Sequence, residues 1–269
     1  MLTFVGLGLY DERSVTIEGR EAVEDADRAF AEFYTSRLVG ADVCDLEASY
    51  GVEIEVRDRE GVEVDPEPIL AAAEAGEAVF LTAGDPMIST THVDLRLRAH
   101  ERGVDTRVIH APTAESAAAS LTGLQNYRFG QATTLPFEWA HGADVVPGSV
   151  VDVIETNRER GLHTLCYLDV KVGRGPDGPD PDFETYMGAD HAARLLAEAW
   201  DPDALGVVVA RAGSPDAVVR ADRLETLAES SFGAPLHMLV LPGDLHDVEA
   251  EALCVLANAP SGLVDGARS

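Results

Sequence analysis

The 269 residues can hold one large domain or two of ordinary size, and 46% hydrophobic with 25% charged residues describe a globular chain. No apolar run approaches the ~18 residues that a membrane span needs, which excludes a transmembrane protein of the helical kind. With 48 acidic against 20 basic side chains and a formal charge of -28, a phosphate-tracking nucleic-acid surface, which needs clustered cations, is excluded as well.

Residues 1–8 read as a short apolar strand ending in glycine. They lack the basic flank and apolar run of a secretory signal, so the chain is expected to stay in the cytoplasm. Residues 12–25 are helix-like and 28–33 begin a second apolar run. Residues 52–57 suggest a strand, and 66–75 a short helix with a proline at its start. Another apolar strand, 77–83, ends in Gly84-Asp85-Pro86. A helix over 90–102, a strand over 105–110 and an alanine-rich helix over 113–124 follow. Strand and helix alternate, which implies a mainly parallel sheet, because parallel neighbours need crossover connections. The pattern loses definition around Arg128–Gly130, and a domain boundary is expected near residue 131, giving domains 1–131 and 132–269.

The second series begins with a strand over 132–135, a helix over 148–160 and a strong strand over 162–170. The Gly/Pro-rich stretch 173–182 has the composition of an exposed loop. A helix over 189–200, strands at 205–210 and 217–220, a helix at 222–228, a strand at 237–241 and a helix at 245–258 complete the run.

The acids are dispersed along helix faces, as in Glu18, Glu21, Glu24, Asp25 and Asp27, and Lys171 is the only lysine. Self-repulsion of such a surface opposes folding at low salt, and at molar salt a Debye length of about 3 Å screens it. A salt-rich cytoplasm is the simplest setting. Cys44, Cys166 and Cys254 show no C-x-x-C spacing, and the eight histidines form no H-E-x-x-H pattern, so no metal is expected.

Gly6-Leu7-Gly8-Leu9-Tyr10-Asp11 follows the first strand, where glycine lets backbone approach a ligand. Asp11 stands where a dinucleotide fingerprint needs its third glycine, so that reading fails, and a tight strand-to-helix turn remains the alternative. Gly84-Asp85-Pro86-Met87-Ile88-Ser89-Thr90-Thr91-His92 lies between a strand end and a helix start, the edge of an open sheet where ligands bind. A helix N-cap turn, served by Ser89 or Thr90, is the alternative there. His110-Ala111-Pro112-Thr113-Ala114, Leu165–Asp169, Ala210-Arg211-Ala212-Gly213-Ser214 and His237 mark further strand ends. Ser14, Ser89 and Ser214 lack the G-x-S-x-G context of a serine hydrolase.

Taken in order, these segments resemble one family. Phe4-Val5-Gly6-Leu7-Gly8-Leu9-Tyr10-Asp11-Glu12-Arg13 looks like the opening of the diphthine synthases. So do Ala31-Glu32-Phe33-Tyr34-Thr35-Ser36, Gly84-Asp85-Pro86, Thr90-Thr91-His92 and Val108-Ile109-His110-Ala111-Pro112. The second half adds Arg160-Gly161-Leu162-His163-Thr164-Leu165, Leu168-Asp169, Ala210-Arg211-Ala212-Gly213-Ser214, Leu241-Pro242-Gly243 and Val248-Glu249-Ala250-Glu251. Only residues 135–147 and the 173–182 stretch depart from the family pattern.

The resemblance implies a tetrapyrrole-methylase-like α/β fold: two unlike α/β domains with a ligand cleft between them, usually in a homodimer. It implies an S-adenosyl-L-methionine-dependent methyltransferase acting on translation elongation factor 2. The amino group of a 3-amino-3-carboxypropyl arm on histidine would receive methyl groups, a stage of diphthamide biosynthesis. The implied donor contacts are Leu9, Asp85, Ile88, Thr113, Ala114, Leu168, Ala212 and His237, with no catalytic residue assigned. A tetrapyrrole methyltransferase using the same donor, and a non-catalytic binding module, are the rival readings.

Overall fold

Strand β1, Leu2–Gly6, is buried along its whole length, because a parallel strand covered on both faces must be apolar on both. In the computed structural model, which describes residues 1–140 and 146–268, it belongs to the first of two compact units, Met1–Thr113 and Ala114–Ser269. The other strands of the first unit are β2 (Arg28–Glu32), β3 (Ile54–Val56), β4 (Ala78–Thr82) and β5 (Thr106–Ile109). They form a parallel sheet in the order β3-β2-β4-β1-β5. The chain works outward to β3 and then reverses to β4 and β5, a change of direction that opens a crevice at the carboxyl edge of such a sheet.

Helices α1 (Ile17–Glu24), α2 (Val43–Tyr50), α3 (Glu67–Ala75) and α4 (Val93–Glu101) belong to the same unit. Alternation along the strands sends Val5, Ala31 and Leu81 into one core with Leu46, and Phe4, Phe30 and Phe80 into another with Ile69 and Leu95. Thr16 caps α1 by accepting the Gly19 N–H at 3.0 Å, so this helix starts later than the apolar pattern suggests. Helix α2, which periodicity does not reveal, is held by a capping box of Asp42 and Asp45 and ends on a left-handed Gly51.

The second unit runs through α5 (Ala114–Thr122), β6 (Thr133–Leu135), α6 (Gly148–Glu159), β7 (Thr164–Leu168), β8 (Val170–Gly175) and β9 (Gly178–Tyr186). It continues with α7 (Ala189–Ala199), β10 (Leu205–Ala210), β11 (Val218–Arg223), α8 (Leu224–Ala228), β12 (His237–Leu241), α9 (Asp247–Leu256) and α10 (Ser261–Asp265). Its main sheet, β11-β10-β12-β7-β6, is antiparallel except between β6 and β7. The two units are therefore unlike α/β structures, as the resemblance implies.

Two expectations differ from the structure. The 173–182 stretch is not an irregular loop: most of it lies in the antiparallel hairpin β8–β9, closed at Gly175-Pro176-Asp177-Gly178 with Gly178 at φ 126°. Pro-Asp-Gly is turn chemistry, and composition alone hid the strands on either side of it. The units divide after Thr113 rather than near residue 131, because α5 buries Ala118 against Leu165, Val207 and Val240 of the second sheet. Of the divergent 135–147 segment, residues 141–145 lie outside the described residues.

Candidate donor-binding site

Three loops leave the carboxyl ends of β1, β4 and β5 and pack on one another. Gly6 ends β1 in register with Thr82 of β4. A β-carbon there would sit 2.6 Å from the Gly84 carbonyl oxygen and 2.7 Å from the Ala111 β-carbon, so only glycine fits. Gly8, at φ 79°, pairs with Gly84, at φ 78°. Asp11 spends its carboxylate locally, accepting the Arg13 backbone N–H at 3.1 Å and its guanidinium, which closes the turn where a dinucleotide fingerprint would need glycine.

Asp85 is buried, and both its oxygens are committed to holding loops. Oδ1 accepts the Met87 N–H at 2.9 Å; Oδ2 accepts the Ala111 N–H at 3.3 Å and lies 2.7 Å from Nδ1 of the exposed His110. The carboxylate thus ties the β4 loop to the β5 loop. A β-carbon on Gly84 would meet nothing within 4 Å, so open space adjoins the Asp85 backbone. Ile88 closes the turn, with its N–H 3.4 Å from the Asp85 carbonyl oxygen, and is partly exposed. Leu9, Asp85, Ile88 and Thr113 therefore belong to one cluster of loops in the first unit.

In the second unit, Leu168 ends β7, His237 starts β12, and Ala212 lies in the turn that follows β10. Ala210 pairs with His237 across the sheet. The His237 ring is satisfied within the protein: Nδ1 accepts the Ala189 N–H at 3.1 Å and Nε2 donates to the Ala234 carbonyl at 2.9 Å. Burial holds this imidazole below its ordinary pKa and keeps it neutral. Arg211, at φ 51°, pins the same corner by donating to the carbonyls of Phe232, Ala234 and Asp216. Ala114 opens α5, and Leu168 is buried beside Asp169, whose Oδ2 accepts the Phe137 N–H at 3.0 Å.

Sequence reasoning left His110 out of the expected contacts, since its partnership with Asp85, 25 residues away, needs knowledge of the strand order. The motifs at 163, 243 and 249 prove to be scaffold. His163 accepts the Gly243 N–H at 3.0 Å through Nδ1 and donates to Glu249 at 3.1 Å through Nε2. Among the described residues, no group of three or more His, Cys, Asp and Glu side chains is placed to hold a metal ion.

A diphthine synthase from Halorubrum lacusprofundi is 75% identical over 265 residues, spanning 98% of this chain and all of the relative. A diphthine synthase from Methanosarcina barkeri is 44% identical over 273 residues, 98% of each chain. A crystal structure of diphthine synthase superposes with a TM-score of 0.87 at 37% identity and 98% coverage of both chains. Residues 1–228 match the Tetrapyrrole (Corrin/Porphyrin) Methylases. The chain belongs to the tetrapyrrole methylases. It is an S-adenosylmethionine-dependent methyltransferase of the diphthine synthase branch, and its relatives from halophilic archaea fit the salt-adapted charge. The structure contains no helix long and apolar enough to cross a membrane among the described residues.

Proposed function

We propose that this methyltransferase takes S-adenosyl-L-methionine onto the β1, β4 and β5 loops of the first unit, where Leu9, Asp85, Ile88 and Thr113 stand. It passes methyl groups to the amino group of a 3-amino-3-carboxypropyl-histidine on translation elongation factor 2, giving diphthine in diphthamide biosynthesis. The observation that carries this reading is the Gly6–Gly84–Ala111 junction. Side chains are excluded from the loop ends there, while open space adjoins Gly84 and a buried carboxylate stands next to it. That combination fits a cationic ligand rich in hydroxyls, which backbone groups and one carboxylate can hold.

Bound there, the donor supplies a methyl group already activated by its sulfonium. The protein's task is alignment of the acceptor nitrogen, and fixed geometry of this kind is worth about 7–11 kcal/mol of barrier. Asp85 favours the positive charge or the hydroxyls of the donor. Its two oxygens already hold the loops, so it is not poised to act as the base, and the amine proton leaves to water. We place the enzyme in the cytoplasm as a homodimer, with no nucleic-acid partner. Concentrated salt would let an acidic enzyme meet an acidic substrate by screening both.

The test is transfer of label from methyl-labelled donor in molar salt. Elongation factor 2 carrying the aminocarboxypropyl arm is offered in one reaction and a precorrin in another. Label on the protein alone supports the assignment, and label on the tetrapyrrole alone refutes it.

A further inference from the structure

A second polar cluster stands on the same sheet edge, and the donor contacts do not include it. Glu32 ends β2 in register with Thr82, which is in register with Gly6, so the three form one row across β2, β4 and β1. Its side chain is fully buried. Oε2 accepts the N–H groups of Tyr34 and Thr35, each at 3.0 Å, and Oε1 accepts the Thr35 hydroxyl. The atom facing the carboxyl is Nε2 of His92, 3.5 Å from Oε1, on a side chain that is also fully buried and lies edge-on to Phe80. At its other end, Nδ1 of His92 is 3.0 Å from the carbonyl oxygen of Pro86. A carbonyl only accepts, so Nδ1 carries the hydrogen and a neutral ring turns a bare Nε2 toward Glu32.

We propose that His92 and Glu32 are positioning residues that share one proton and fasten the Gly84-Asp85-Pro86 loop to the end of β2. Two lone pairs cannot face each other in a buried site at low cost, and a single proton between Nε2 and Oε1 joins them. Of the charged groups in the neighbouring 58–65 segment (Asp58, Arg59, Glu60, Glu63 and Asp65), Arg59 and Glu63 act on His92, with opposite signs, and do not replace that proton. The imidazole then spans from β2 to the Pro86 carbonyl, one peptide beyond Asp85, and sets where the Asp85 backbone stands. Nothing in the sequence announces this, because the two residues lie 60 positions apart; only the pairing of β2 with β4 brings them together.

The inference rests on the reading that the Asp85 loop holds the donor, and the test separates the two. The affinity for S-adenosylmethionine is measured by calorimetry, with thermal midpoints, for His92→Asn, His92→Gln, Glu32→Gln and Asp85→Asn. Asparagine keeps a donor at the position of Nδ1, whereas glutamine keeps one only at the position of Nε2. His92→Asn keeps only the bond to Pro86 and His92→Gln only the bond to Glu32, so each breaks one end of the span, and both are expected to bind about fivefold or more weakly, the equivalent of one hydrogen bond. Glu32→Gln, whose amide donates permanently to Nε2, is expected to retain affinity. Retained affinity in either His92 variant while Asp85→Asn binds weakly, or a loss in Glu32→Gln equal to theirs, would overturn the positioning role. Unchanged binding in Asp85→Asn would overturn the donor reading itself.

Discussion

Gly8 and Gly84 exchange backbone hydrogen bonds, Gly84 N–H to Gly8 carbonyl at 2.7 Å and Gly8 N–H to Gly84 carbonyl at 3.3 Å. This bridge fastens the loop after β1 to the loop after β4, and Gly6 makes it possible by bringing no β-carbon. In Gly6→Ala the new carbon would collide with backbone oxygen, so the bridge must open. A stability loss of about 1–3 kcal/mol is expected, as for other overpacked sites, with a larger proportional loss of donor affinity. Thermal melts and calorimetry on the same variant check both; an unaltered affinity would detach the bridge from the donor site.

Replacing Asp85 with asparagine removes a negative charge while keeping its shape. If the carboxylate favours the sulfonium, S-adenosylmethionine should lose about tenfold in affinity and S-adenosylhomocysteine, whose sulfur is a neutral thioether, distinctly less, the difference reflecting a partly screened charge pair. Equal losses for the two ligands would show that the carboxylate acts through the loops it holds rather than on the sulfonium charge.

The charge of -28 makes stability depend on salt. Self-repulsion falls as the Debye length shrinks from ~10 Å at 0.1 M to ~3 Å at 1 M. The thermal midpoint should climb steadily over that range and activity should climb with it. Activity that grew as salt was withdrawn would contradict the salt-adapted reading.

Acidification should destabilise the fold before the carboxylates titrate. His92, His163 and His237 are each held neutral by burial, below the ordinary histidine value. The stability they contribute is fully present above the unfolded pKa of about 6.5 and is lost as pH falls below it, because the unfolded chain then binds more protons. Glu32 works the other way, since burial raises its pKa and its contribution is lost as pH rises through the folded value. At Glu249, burial would raise the pKa, but the N–H groups of Gln125 and His246 and the His163 ring outweigh it, so its contribution is lost only in stronger acid. With three histidines against one glutamate, the thermal midpoint in molar salt is expected to drop between pH about 7.5 and about 5.5. Melts at both pH values check the sign.

Much of this was legible in the chain itself. The strands β1, β4, β10 and β12 are continuous apolar runs, and their ends carry the glycines and the Asp-Pro step that mark the loops. Helix α2 escaped because its signal lies in caps, Asp42, Asp45 and Gly51, rather than in a long apolar stripe. The β8–β9 hairpin escaped because its strands are polar and exposed. The partners of Asp85 and Glu32 escaped for a different reason: His110 and His92 meet them through strand order, which no local spacing encodes.

The central claim is methyl transfer to the modified histidine of elongation factor 2. Mass spectrometry of that protein, bearing the aminocarboxypropyl arm and incubated with this enzyme and S-adenosylmethionine in molar salt, reads it most directly. Successive mass increments of one methyl group each, mapped to that single histidine, are the predicted result. An unmodified histidine arm, alongside enzyme shown by calorimetry to bind the donor, would contradict the account.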